Sequence, residues 1–237
     1  MQLIQAIKNE LDQYADKAKA EFLPRFFKTQ PGGYAEGDRF IGVTVPNQRK
    51  VAKKYFGLIQ LNEVENLLHE TFHEYRLTAL FILVNKYDKA ISDNEKKAIV
   101  DLYLNNITYI NNWDLVDSSA DKILGPYLLD KRKDILYEFA NSNDLWQQRI
   151  AIITTYYFIK HNRFDDTLTI SAILLNHKHD LIHKAVGWML REIGNRDFDV
   201  ELNFLKNHYK KMPRTMLRYA IEKFEEGLRQ QFLKGGI

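Results

Sequence analysis

Trp113 and Asp117 lie one helical turn apart in Asn112-Trp113-Asp114-Leu115-Val116-Asp117, so on a helix an indole and a carboxylate share one face. A second indole, Trp188, stands in KAVGWMLRE, with Arg191 at i+3. Two π faces and a carboxylate are groups that stabilise a positive charge, in a ligand or in a transition state. The bland alternative is that each Trp fills a core. Trp146, the third and last tryptophan, takes that alternative.

Histidines offer a second chemistry. His69-Glu70-Thr71-Phe72-His73 matches the HExxH pattern of zinc proteases, which needs both imidazoles on one continuous helix. Val64, Leu67 and Leu68 end one apolar pattern, and Tyr75, Leu77 and Leu80 begin another, so the two His fall on opposite sides of a boundary. No metal site is expected. His177, His179 and His183 surround a helix start and read as a solvated cluster. No Ser-His-Asp, dinucleotide-binding or kinase signature is present.

The elements that must position these residues are helical. Ile4, Ile7, Leu11, Tyr14 and Ala18 form one stripe at helical spacing. Ser92 before Asn94-Glu95 signals a helix start, and Asn143-Asp144 precedes an apolar run from Leu145 to Ile159. Strand-like alternation is missing, so no sheet is expected. The segment Thr29–Asp38 (TQPGGYAEGD) must be a loop, and no Gly-Lys-Ser/Thr follows to make it a phosphate loop.

Apolar helices recur at His73, Asn111, Trp146, Leu181 and Lys211, with partner helices at Asn94–Asn105, Asp134–Ala140 and Asp165–Leu175. A repeat of that length is the signature of a paired-helix solenoid. Four of the five units place a cation early: Arg76, Arg149, Lys184 and Arg214. One reading of this row is a solvated face. The other is a groove that follows a phosphate backbone. The unit at Asn111 breaks the row with Trp113, Asp114 and Asp117.

Composition bounds the rest. Of 237 residues, 45% are hydrophobic and 27% charged, with 11 Gly, 5 Pro and no Cys. That excludes disorder, disulfides and thiol chemistry. The longest apolar run, Ala79 to Val84, is far too short to cross a membrane, and Met1 to Glu10 carries no secretory pattern, so a cytoplasmic protein is expected. The net charge of +3 is unevenly spread: from Asn143 to Ile237, 15 Lys/Arg stand against 11 Asp/Glu, a net of +4, which leaves −1 for the first 142 residues.

Several blocks together resemble the AlkD-like DNA alkylation repair family of HEAT-like repeat glycosylases. These are GVTVPNQRKVAKKY (Gly42 to Tyr55), NNWDLVDSSADKILG, LWQQRIAIITTYYFIK and HKAVGWMLREIG, in the family's order between about Ala20 and Phe224. The resemblance implies an all-α fold, an α-solenoid of HEAT-like antiparallel helix pairs. It would form one curved domain over 1–237 with a basic concave groove, the N-terminal helices and Gly-rich loop taking 1–45 and the repeats about 46–237. It also implies a monomeric enzyme without metal or cofactor. Such an enzyme hydrolyses the N-glycosidic bond of positively charged alkylated bases, N3-methyladenine and N7-methylguanine, in double-stranded DNA, without base flipping.

By the same resemblance Asp117, Trp113, Trp188 and Arg149 are catalytic. Asp117 would stabilise an oxocarbenium-like sugar or orient water, the two Trp would pack on the deoxyribose, and Arg149 would hold the lesion-strand phosphate. Arg76, Lys184, Arg191, Arg214 and Phe26 would contact DNA. Phe26 stands where other members carry a Tyr, and the loop Thr29–Asp38 is longer than in some members. Neither a membrane nor a protein partner is implied. The alternative is a non-catalytic HEAT-like protein that binds branched or distorted DNA.

Overall fold

The computed structural model describes residues 2–237, and helix is their dominant state. The chain forms two compact units, one ending at Ile123 and the other spanning Leu124–Ile237. In the first lie α1 (Gln2–Asp12), α2 (Lys17–Phe27), α3 (Val45–Tyr55), α4 (Leu61–Leu68), α5 (His73–Lys89) and α6 (Asp93–Asn105), and α7 (Trp113–Leu128) begins there. The second holds α8 (Asp134–Ala140), α9 (Leu145–Lys160), α10 (Asp165–Ile173), α11 (Asp180–Gly194), α12 (Phe198–His208), α13 (Arg214–Ala220) and α14 (Glu226–Lys234). Among the described residues there is no strand, only an isolated bridge between Arg39 and Phe72. No helix there is long and apolar enough to cross a membrane.

Helix starts follow side-chain chemistry. Ser92 caps α6 by accepting from the Glu95 N–H, and Glu95 returns the bond to the Ser92 N–H at 2.9 Å. Asp144 accepts from the N–H groups of Trp146 and Gln147 at 2.9 and 2.8 Å and starts α9.

Within the first unit α5 is the central helix. It is buried without interruption from His73 to Leu83, the pattern of a helix covered on several sides. α3, α4 and α6 pack on it, and α1 packs on α3 and α4. Within the second unit α9, α11 and α13 pack in succession, with α8 and α10 against α9 and with α12 against α11. The recurrence seen in the sequence is thus a recurrence of stacked helices, each burying what its neighbour cannot bury alone.

Two expectations are corrected. The stripe from Ile4 to Ala18 is not one helix. α1 stops at Asp12, and the chain turns so that Asp16 caps α2 by accepting from the Lys19 N–H at 3.1 Å, while the Asp16 N–H donates to the Ile41 carbonyl. Capping and tertiary pairing override a stripe that happened to stay in phase. Trp146 lies in the first turn of α9 and is half-buried rather than in the core.

Candidate active site in the first unit

α2 ends where Lys28 turns into the left-handed region at φ 54°. The Gly-rich segment then runs irregularly, with Gly32 and Gly37 at φ 78° and 84°, as the sequence requires. It is anchored in its second half. Ala35 is buried with Phe27 and Phe40, and Leu23, Tyr34 and Trp113 pack around them. At the far end Asp38 enters a buried polar hub.

That hub fixes the start of α7. His73 is 2% exposed and bridges two carboxylates, with Nδ1 3.1 Å from Asp38 Oδ2 and Nε2 2.8 Å from Asp114 Oδ2. Asp38 also accepts from the Arg76 guanidinium and from Asn112 Nδ2 at 3.1 Å. Arg76 Nη1 donates to Asn111 Oδ1 at 2.7 Å. The Asn112 side-chain oxygen accepts from the Trp113 N–H at 2.8 Å and opens the helix. Burial by itself would push the His73 pKa down. The charges of Asp114 and Asp38 and their hydrogen bonds outweigh it and raise the pKa to about 9. Burial likewise opposes ionisation of Asp38, but His73 and Arg76 hold its carboxyl below the ordinary range.

Above the hub lies a cleft of about 480 Å³. Part of its wall is aromatic, from Phe26, Phe27, Phe40 and Trp113, and the rest is aliphatic, polar and charged. Trp113 stacks on Phe27 with ring centroids 5.5 Å apart and meets Phe26 edge-on at 6.0 Å. Asp117 lines the same cleft one turn along α7, with Lys19, Arg49 and Lys122 as the nearby cations. Lys122 Nζ is 2.8 Å from Asp121 Oδ1 and donates to the Asp117 carbonyl at 3.3 Å. Trp113, Asp117 and Phe26, three of the residues singled out in the sequence, therefore share one cavity. A recess that offers aromatic faces and the carboxylates of Glu74, Asp114 and Asp117, with Lys19, Arg49, Lys122 and His73 also in its lining, can take an electron-poor or cationic group against its rings and acids.

The other singled-out residues divide by unit. Arg76, on α5 of the first unit, is buried in the hub, so a phosphate could reach its guanidinium only by opening the pair with Asp38. In the second unit Arg149 is buried on α9, and Nη1 donates to the Leu181 carbonyl at 2.5 Å. Trp188 is half-buried on α11 and its ring lies 5.6 Å from that of Tyr156. Its Nε1 donates to Glu192 at 3.1 Å. Arg191 pairs with Glu222, and Lys184 pairs with Asp180 at 2.6 Å. Arg214 donates to the Leu233 carbonyl at 2.6 Å. The row of early cations is not one register position: Arg214 is the first residue of α13, whereas Arg149 and Lys184 lie a full turn inside their helices.

The HExxH histidines separate as expected. His69 caps the end of α4, stacks on Tyr109 and bonds Asn106 at 2.5 Å, while His73 opens α5. His177, His179 and His183 are half-buried rather than solvated. The first two accept the N–H groups of His179 and Leu181 at 3.0 and 3.2 Å, and the His183 ring bonds the His177 carbonyl. Sequence reading missed the hub. Its members at 38, 73, 76, 112 and 114 are scattered, and only the run Asn112-Trp113-Asp114 marked the place.

A solved structure described as a predicted DNA alkylation repair enzyme from Enterococcus faecalis has the same fold. Its TM-score is 0.70 at 17% identity, over 90% of this chain and 97% of that one. No curated protein matches the sequence significantly. The profile of the DNA alkylation repair enzyme family matches residues 7–224, nearly the whole chain and all of the cleft, and the protein belongs to that family.

Proposed function

We propose that this DNA alkylation repair enzyme is a glycosylase that hydrolyses the N-glycosidic bond of positively charged alkylated bases, N3-methyladenine and N7-methylguanine among them, in duplex DNA. The observation that carries the reading is the joint placement of Asp117 and Trp113 in one aromatic cleft. Alkylation at a ring nitrogen makes the base cationic and weakens its bond to the sugar. The remaining barrier is formation of an oxocarbenium-like deoxyribose, which a nearby carboxylate stabilises. Asp117 has that task, or that of orienting the attacking water. Trp113 presents its π face to the same charge. Because the substrate carries its own charge, selectivity needs no pocket that encloses a flipped base, in contrast to base-flipping enzymes. In the second unit Trp188 packs on deoxyribose, Arg149 holds a phosphate, and Lys184, Arg191 and Arg214 add backbone contacts that carry no sequence information. The enzyme acts as a monomer without metal or cofactor.

The test is release of N7-methylguanine from a methylated duplex. Wild type releases the base with or without chelator. Asp117→Asn releases it roughly 100-fold more slowly, the scale of losing one preorganised electrostatic group, and still binds the duplex. Salt-sensitive binding by wild type with no release would assign the protein instead to non-catalytic recognition of distorted DNA.

A further inference from the structure

Helix α2 exposes two phenylalanines. Phe22 is 62% and Phe26 53% exposed. They stand at i, i+4, so their rings form one ridge, with centroids 6.4 Å apart and planes inclined by only 25°. Phe26 also touches Phe27 and the edge of Trp113, which ties the ridge to the wall of the Asp117 cleft. Phe22, at the outer end, is more exposed than Phe26 and does not line the cleft.

The same helix is basic. Lys17, Lys19 and Arg25, with Lys28 just after it, stand against two acids, Glu21 and the capping Asp16, which pairs with Lys19 at 2.9 Å. Lys19 lines the cleft as well. Exposed flat rings among cations match a ligand with π faces on a polyanionic backbone: the rings stack, the cations follow the phosphates. In a paired duplex the base faces are covered by their neighbours, so only a base out of the stack can use such a ridge.

We propose that Phe22 and the exposed side of Phe26 form a stacking platform for a nucleobase left unpaired beside the lesion, at the rim of the cleft that Phe26 helps to wall. The proposal rests on the DNA reading above and adds to it a device for recognising distortion rather than methylation. It makes Phe22 a specificity-determining residue.

The experiment compares affinities for a fully paired duplex and for the same duplex with one extrahelical adenine, over a series of salt concentrations. Wild type prefers the second. Phe22→Ala loses that preference, binding the extrahelical duplex roughly ten-fold more weakly, the usual scale of one lost base–aromatic stack. Its affinity for the paired duplex and the salt slope stay unchanged, because no phosphate contact is removed. Phe22→Tyr, which keeps the π face, restores the preference. Thermal melting confirms that both variants fold, as the exposure of Phe22 leads us to expect.

Equal weakening on both duplexes, or a preference that survives Phe22→Ala, overturns the platform while leaving the glycosylase reading intact. Wild type that binds neither duplex overturns both. Cosedimentation with vesicles of equal parts phosphatidylserine and phosphatidylcholine, abolished by Phe22→Ala with DNA preference untouched, would reassign the ridge to a membrane surface and overturn the proposal.

Discussion

His73 holds a cation in the interior of the first unit because two carboxylates, Asp38 and Asp114, face its two ring nitrogens. Its pKa in the folded protein is about 9, above the ordinary 6.5. The stabilisation it contributes is therefore full below 6.5 and is lost as the pH rises through 9. Glu201 adds a loss of the same sign. Burial beside Gly194 raises its carboxyl to about 9, against the opposing charge of Arg191, so the folded state resists its ionisation. The melting temperature is accordingly expected to fall between neutral and alkaline pH. His73→Gln should lower it already at pH 6, by the equivalent of about 3 kcal/mol, because Asp114 and Asp38 lose the cation between them and Arg76 remains only for Asp38. Glu201→Gln should flatten the fall from pH 4.5, where the unfolded carboxyl begins to ionise, up to about 9, without that acid-side loss. Melting curves across pH for the three proteins separate the two groups.

Elements are set by caps and by close approach. Ser92→Ala removes a cap whose partner groups are on the surface, and should cost about 1 kcal/mol in urea denaturation. Gly42 is a stricter position. Its φ is 85°, a Cβ there would overlap the Asp16 carbonyl, and its N–H donates to the buried Glu74 carboxylate at 2.8 Å. Gly42→Ala should cost more than about 2 kcal/mol, by strain and by displacing the segment that joins α2 to α3. The same denaturation series checks both. The contrast shows what is local and what is not. The Ser92–Glu95 pair could be read from four consecutive residues, whereas the need for glycine at 42 comes from a chain segment that passes close to it.

At the scale of the whole molecule, charge is the property that the sequence states most directly. The excess of cations lies after Asn143, and the first 142 residues are slightly acidic. If the second unit carries phosphate contacts, duplex affinity must fall steeply with salt, with a log–log slope of about −0.9 for each phosphate neutralised. Arg149→Ala should then weaken both binding and base release and reduce that slope by about one contact, and, because its guanidinium is as buried as that of Arg76 and holds the Leu181 carbonyl, it should lower the melting temperature as well. Arg76→Ala should behave differently: its guanidinium is buried with Asp38, so the loss appears in melting temperature while the slope is kept. Binding titrations over salt, run on both variants, distinguish a cation that serves DNA from one that serves the fold.

Helix content, the irregular Thr29–Asp38 segment, the separation of His69 from His73 and the shared face of Trp113 and Asp117 were all legible in the sequence. Each depends on residues a few positions apart, where helical period and turn chemistry act directly. The end of α1 at Asp12 was not legible, because a hydrophobic stripe can run in phase across a turn. Nor was the task of Arg76, which looked like one of a row of surface cations until Asp38 was found against it. Only the tertiary structure decides how Asp38, His73 and Asp114 meet, how Phe26 and Phe27 come to wall a cleft with Trp113, and which cations are buried. Those outcomes depend on contacts between segments tens of residues apart, which local pattern does not encode.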